Sequence, residues 1–287
     1  MKKFKIKSFC KINLSLRVLK KLNSGYHSIK SLITFCNIHD VVTISQASEK
    51  KDNISFSGKF KKGINVKSNT ITKVLYQLRK RNFFNKETFK INIKKNIPQG
   101  SGLGGGSGDA ATLLNFFNQK MDLKIGSNEL KKIALQIGSD VPVYLEKKNT
   151  LLTGKTGDLL RLNHKFNLNI LIVYPNIVCS TKRVYESNKV FTLTKTQYNF
   201  KKKNKKQLIF YLINEQNDLE KTVIKFYPKV GKVIEILKCQ NDCLFSRITG
   251  SGSACIGVFS NMRAAILTQK LIKLKFPKYW SVVSKTM

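Results

Sequence analysis

Arginine is scarce in this chain: only 7 of its 53 basic residues are arginine, the other 46 being lysine. That scarcity bears on the loudest feature of the composition, a net charge of +37 against 16 acidic residues. Guanidinium groups read phosphates and bases bidentately, so a surface selected to recognise nucleic acid should use them. The charge travels instead with 25 asparagines, and lysine and asparagine share A/T-rich codons. Runs such as Lys201 to Lys206 are therefore expected as an exposed loop or a solvated face. No specific nucleic-acid partner is expected, only weak, salt-sensitive attraction to RNA.

Long apolar runs are missing too. Stretches such as Ile170 to Val173 are strand-sized, which excludes a membrane-spanning helix. The N-terminal MKKFKIKSFCKINLSL has the lysines of a signal peptide but neither a continuous apolar region nor a small-residue cleavage site. It is expected to be the first strand of a cytoplasmic protein. The six cysteines form no CxxC pair and match no histidine spacing, which argues against zinc and for free, mostly buried thiols.

The first ninety-odd residues alternate apolar and polar in short runs, as in Val41–Ile44 and Phe89–Ile93, predicting half-buried antiparallel strands. A helix is predicted between them, over Ile71 to Arg81. Further on, Ala110, Leu113, Leu114, Phe117 and Met121 fall on one helical stripe, with Asp109 placed in the first turn, where the helix dipole favours an acid. Ser127 is the expected N-cap of a second helix, whose apolar face is Leu130, Ile133, Ala134 and Ile137 and whose stop is Gly138. The pattern restarts with a strand over Leu168 to Tyr174, helices over Glu215 to Tyr227 and Val230 to Leu237, and a strand over Ile256 to Phe259. Two domains are expected, residues 1–163 and 164–287, divided near Leu162-Asn163-His164-Lys165.

Between a strand and a helix lies Pro98-Gln99-Gly100-Ser101-Gly102-Leu103-Gly104-Gly105-Gly106-Ser107-Gly108. Glycines let backbone approach an anion closely, and successive N–H groups with a following helix N-terminus supply partial positive charge, so phosphate is the natural ligand. Gly100, Gly102 and Gly105 also fit a GxGxxG dinucleotide pattern. Against that reading, the preceding strand alternates Ile91, Asn92, Ile93, Lys94 rather than being apolar on both faces, and Pro98 intervenes. Gly154-Lys155-Thr156 resembles the end of a Walker A motif, but Asn149 stands where its first glycine belongs.

The loop resembles that of the GHMP kinases, PxxxGLGxxSxxA. Three more segments resemble, in the same order, the branch of that family that acts on a cytidine diphosphate polyol: Cys10-Lys11-Ile12-Asn13-Leu14 with Gly25-Tyr26-His27, Gly138-Ser139-Asp140-Val141-Pro142, and Ile248-Thr249-Gly250-Ser251-Gly252-Ser253. The resemblance implies a two-domain α+β fold, with a ribosomal-protein-S5-like N-terminal half and a ferredoxin-like C-terminal half. It implies transfer of the ATP γ-phosphoryl, with Mg²⁺, to the 2-hydroxyl of a methylerythritol in non-mevalonate isoprenoid synthesis. Kinases of mevalonate, homoserine or a sugar, and an RNA-binding protein, are the alternatives.

Carried over residue by residue, Asp140 is the general base and Lys11 its electrostatic partner. Asn13 is expected on the polyol, and Tyr26 and His27 on the cytidine diphosphate arm, where a ring can stack on a pyrimidine. Lys95 would meet a phosphate and Thr181 another part of the substrate. The Pro142 ring is expected to extend the chain and fix Asp140 at a turn. Thr249 to Ser253 either closes over the phosphates or is a tight structural turn between a strand and a helix. Relatives usually carry a second serine where this chain has Gly108, so either Ser107 serves alone near the metal or water takes the second hydroxyl's place.

Overall fold

A computed structural model describes residues 2–23, 25–154, 158–192 and 204–287. Its elements, in chain order, are β1 (Phe4–Lys21), β2 (His27–Gln46), β3 (Asn53–Ser57), α1 (Thr70–Arg79), β4 (Phe89–Lys94), α2 (Gly105–Lys120) and α3 (Ser127–Ile137). A 3-10 turn (Val141–Leu145) follows, then β5 (Asn149–Gly154), β6 (Asp158–Leu162), β7 (Asn169–Tyr174), α4 (Thr181–Glu186), α5 (Lys205–Asn214), α6 (Glu220–Phe226), α7 (Pro228–Lys238), β8 (Cys243–Ile248), β9 (Cys255–Phe259), α8 (Met262–Lys275) and β10 (Trp280–Lys285).

The chain forms two compact units, and they are interleaved in sequence. Unit 1 is Met1–Cys10, Ile38–Gln99 and Gly104–Lys147; unit 2 is Lys11–Asn37, Gly100–Leu103 and Lys148–Met287. The linear division at 163/164 read from the sequence pattern thus differs from the clustering of contacts. Strands β1 and β2 each cross from one unit to the other, and a local hydrophobicity pattern carries no mark of such a crossing.

In unit 1, Val41–Gln46 of β2 pairs antiparallel with β4, and β4 pairs with β3 in parallel. The parallel pair departs from the all-antiparallel expectation, because β3 reaches β4 through α1, a crossover that alternation within either strand does not reveal. Strand β4 buries Phe89, Ile91 and Ile93 and turns Lys90, Asn92 and Lys94 outward. Phe89 meets Phe84 and Phe117 with ring centroids 4.7 to 5.0 Å apart. Helix α1 buries Ile71, Val74, Leu75 and Leu78 on one face, each such side chain contributing about 1.5–3 kcal/mol by leaving water. Asn69 and Thr72 close a reciprocal capping box at its start.

Helix α2 starts at Gly105, after Gly104 turns through a left-handed φ of 67°. That start places Asp109 beyond the first turn, so the expected dipole contact is replaced by a buried ion pair described below. Its burial is also wider than one stripe, with Ala111 and Phe116 joining Ala110, Leu113, Leu114 and Phe117. In α3 the N-cap is Gly126 and Ser127 is the first helical residue, its hydroxyl making no cap bond; Gly138 ends the helix as expected.

In unit 2, Ile29–Ile33 of β2 pairs with β5, and β5 with β6. A second sheet of four antiparallel strands has the order β10-β7-β9-β8. With helices between β7 and β8 and between β9 and β10, this is the βαββαβ arrangement of ferredoxin-like folds. Leu171, Val173, Val230, Val233, Leu237, Ile248 and Ile272 belong to its core cluster. Between β7 and β8 there are short helices α4 to α7: the helix expected over 215–227 forms as α6, starting five residues later, and the one expected over 230–237 forms as α7. Residues 155 and 156 of the Walker-like segment and 201–203 of the lysine run lie outside the described residues; Asn204, next in line, caps α5. Cys10, Cys36, Cys179 and Cys255 are buried free thiols, Cys243 is half-buried and Cys239 exposed. No helix among the described residues is long and apolar enough to cross a membrane.

Candidate active site

In unit 2, three of the motifs meet around β1. Residues two apart on a strand share a face and an edge, and the structure uses both properties of Lys11 and Asn13. Along the edge, the Lys11 N–H donates to Leu103 O at 3.2 Å and the Asn13 N–H to Thr249 Oγ1 at 2.9 Å. On the face, Lys11 Nζ donates to Asn13 Oδ1 at 2.5 Å, and Asn13 Nδ2 donates to Ser31 Oγ at 2.7 Å. Ser31 in turn donates to Ser15 O at 2.6 Å, so the orientation of the Asn13 amide is fixed from both ends. All three side chains are buried. Both polar ends of Asn13, expected on the polyol, are thus engaged within the protein.

Gly100–Leu103 is held mostly by backbone. Gly100 O accepts from the Cys179 N–H at 3.3 Å and Ser101 O from the Ala254 N–H at 3.0 Å. Gly102, at φ 81°, has no room for a side chain: a Cβ there would lie 2.1 Å from Thr249 O and 3.2 Å from Gly252 O. Thr249 to Ser253 joins β8 to β9, two strands rather than a strand and a helix, and Asn217 Nδ2 grips it through Ile248 O and Gly250 O at 3.2 and 2.8 Å. Thr181 Oγ1 meets Ser251 Oγ at 2.8 Å, so the expected substrate contact sits on this turn.

The remaining loop residues belong to unit 1. Pro98 is buried, and Gln99 Nε2 donates to Phe60 O at 2.6 Å, fastening the loop's entry. Helix α2 opens with Gly104 as N-cap and no side-chain cap, leaving its first N–H groups uncovered by any side chain of the helix start. Such an end favours phosphate. Thr70 Oγ1 donates to Gly106 O at 2.9 Å and steadies the first turn. Ser107 is half-buried in that turn. At Gly108 a Cβ would lie 3.0 Å from both Ser8 Oγ and the Tyr144 ring, so those two side chains take the space a second serine would need.

Asp140 lies between the end of α3 and the 3-10 turn and is half-buried. Pro142 sits in that turn, where its fixed φ is accommodated, instead of extending the chain. The Asp140 carbonyl accepts from the Val143 N–H at 3.2 Å.

Lys95 is buried to 3% exposure, with its ammonium bonded to Asp40 and, at 2.6 Å, to Asp109 Oδ2. Burial acts to lower the Lys95 pKa, but the two carboxylates outweigh it and the net shift is upward. Burial pushes the Asp109 carboxyl up to about 7, with Lys95 opposing the rise and Asp40 adding to it. The sequence reading missed Asp40 altogether: it lies 55 residues from Lys95, and nothing local marks it.

Tyr26 is 58% exposed and His27 buried. The His27 ring lies 5.3 Å from that of Tyr185 and 6.4 Å from that of Phe191, the latter stacked. Phe191 remains largely exposed, so this aromatic cluster opens to solvent. Burial, and then the charge of Lys21, lower the His27 pKa from 6.5, keeping the imidazole neutral at pH 7. Tyr185 and Phe191 were not anticipated, since neither lies in a motif.

The model of the GHMP kinases N terminal domain matches residues 69–147, and that of the GHMP kinases C terminal domain matches residues 202–278. A 4-diphosphocytidyl-2-C-methyl-D-erythritol kinase of Pelagibacter ubique (strain HTCC1062) is 40% identical over 100% of both chains. One of Ehrlichia ruminantium (strain Welgevonden) is 31% identical over 97% of each. Among solved structures, a 4-(cytidine 5'-diphospho)-2C-methyl-D-erythritol kinase gives a TM-score of 0.76 at 21% identity, covering 98% of this chain and 99% of that one. A homoserine kinase from Cytophaga hutchinsonii ATCC 33406 gives 0.70 at 18% identity, covering 100% and 95%. At these identities the structural likenesses speak to the fold alone.

Proposed function

Because the chain belongs to the GHMP kinases, and within them to the 4-diphosphocytidyl-2-C-methyl-D-erythritol kinases, we propose how its own residues divide that work. The chain is an ATP-dependent small-molecule kinase. Its acceptor in this reading is the 2-hydroxyl of 4-diphosphocytidyl-2-C-methyl-D-erythritol. Asp140 takes the hydroxyl proton as the oxygen bonds to the γ-phosphorus and the β–γ bridge bond breaks, releasing ADP. Lys11 stabilises the charge that develops on the attacking oxygen, and Asn13 fixes the ammonium. The uncapped start of α2 and the segment Gly100–Leu103 hold the triphosphate through backbone N–H groups. Tyr26 and His27, with Tyr185 and Phe191, take the cytosine.

Mg²⁺ neutralises charge on the phosphate oxygens when bound. The described residues contain no group of three His, Cys, Asp or Glu side chains able to hold a metal. Ser107, half-buried in the first turn of α2, is the hydroxyl that would meet such an ion, with substrate phosphates supplying its other oxygens.

The observation that carries the reading is the meeting around Asn13 of residues from positions 11, 103 and 249, joined by hydrogen bonds across more than two hundred residues of sequence. The test is ADP release by purified protein with ATP, Mg²⁺ and each of 4-diphosphocytidyl-2-C-methyl-D-erythritol, mevalonate, homoserine and galactose. Turnover with the cytidine compound alone is expected; preference for any other acceptor would overturn the assignment.

A further inference from the structure

We infer that the buried cluster Asp40–Lys95–Asp109 is a positioning device that sets the affinity of the glycine loop for ATP without touching the nucleotide. The inference rests on the reading of that loop as the ATP site.

The cluster ties the two ends of the loop to one ammonium. At the entry, Asp40 Oδ1 accepts the Asn96 N–H at 2.5 Å and the Ile97 N–H at 2.8 Å, fixing the two residues before Pro98. At the exit, Asp109 lies on the helix that the loop opens into, and its Oδ2 takes a second N–H of Lys95 at 2.6 Å. Gly105, the first residue of that helix, lies over the entry so closely that a Cβ there would sit 3.1 Å from Ile97 Cγ2 and 3.3 Å from Asp40 Oδ2. The side chains of Asp40, Lys95 and Asp109 are no more than 3% exposed. Charge-assisted bonds of this kind are short and directional, so they fix the distance between the strand end and the helix start. The N–H groups of the first turn of α2 can meet a phosphate only if that distance holds. With its ammonium shared by two carboxylates, Lys95 acts through them, and the phosphate contact expected of it from sequence is replaced by this indirect role.

The experiment measures ATP affinity by calorimetry without acceptor, and kcat with both KM values, for wild type, Lys95→Met, Asp109→Asn and the double variant, all well below their melting temperatures. Each single change is expected to weaken ATP binding about tenfold or more while the KM for the cytidine polyol moves less than about twofold. The double variant is expected to match the worse single variant, since both act through one contact. Multiplying effects would mean that Lys95 reaches the nucleotide independently, and would overturn the inference. So would unchanged ATP affinity with only a lowered melting temperature, the mark of a purely structural role. Asp109→Asn preserves shape and decides the matter alone if Lys95→Met does not fold: undiminished ATP affinity in it refutes the proposal. Failure of the kinase reading shows separately, as a wild type that binds ATP yet releases no ADP with the polyol.

Discussion

The two halves of the glycine loop are held by different physics. Gly100–Leu103 is fastened by backbone hydrogen bonds to Lys11, Cys179 and Ala254, and by the absence of a side chain at Gly102. Gly104–Gly108 opens a helix whose near surroundings are a buried ammonium and two carboxylates. The first half depends on shape and is indifferent to charge. The second depends on charge balance, because a buried ion stripped of its partner is costly.

That contrast can be broken from either side. Gly102→Ala should have the largest effect on turnover of any change within the loop, since a Cβ 2.1 Å from Thr249 O forces backbone to move in a residue already at φ 81°. A displacement of the order of 1 Å lowers kcat/KM about a hundredfold, which steady-state kinetics would register. Lys95→Met should lower unfolding free energy by about 3–5 kcal/mol, read by urea denaturation, by leaving buried carboxylates unpaired. Thr249→Val removes the acceptor of the buried Asn13 N–H and should cost about 1–3 kcal/mol in the same assay.

The smallest effect concerns pH. The folded state holds His27 below its ordinary value of 6.5, so protonation is disfavoured there relative to the unfolded chain. The stability this ring contributes is complete above 6.5 and is lost as pH falls below it. Protonating the same ring removes its neutral contact with the cytosine, so the KM for the cytidine polyol should rise as pH falls below 6.5. His27→Gln should flatten that profile.

Much of the fold was legible because local patterns set it. The alternation in β4, the apolar face of α1 and the glycine at the end of α3 all follow from side chains within a few residues of one another. The α2 start was misplaced because Gly104 in a left-handed turn begins the helix earlier than its apolar stripe does, which moved Asp109 from the dipole into the ion pair. The parallel β3–β4 pair and the interleaved units depend on long-range pairing that no window of sequence contains. Of the proposed site, motifs point to Lys11, Asn13, the loop and Asp140, while Asp40, Ser31, Asn217, Tyr185 and Phe191 lie in none. Their partners lie 18 to 164 residues away, so only the folded chain reveals them.

In the proposed reaction the chain moves a phosphoryl group with Asp140 receiving the acceptor's proton. The most direct measurement is kcat and the KM for ATP of Asp140→Asn with the cytidine polyol. A fall in kcat of roughly a hundredfold or more, with the KM for ATP little changed, is what the account predicts. A variant turning over at the wild-type rate would contradict it.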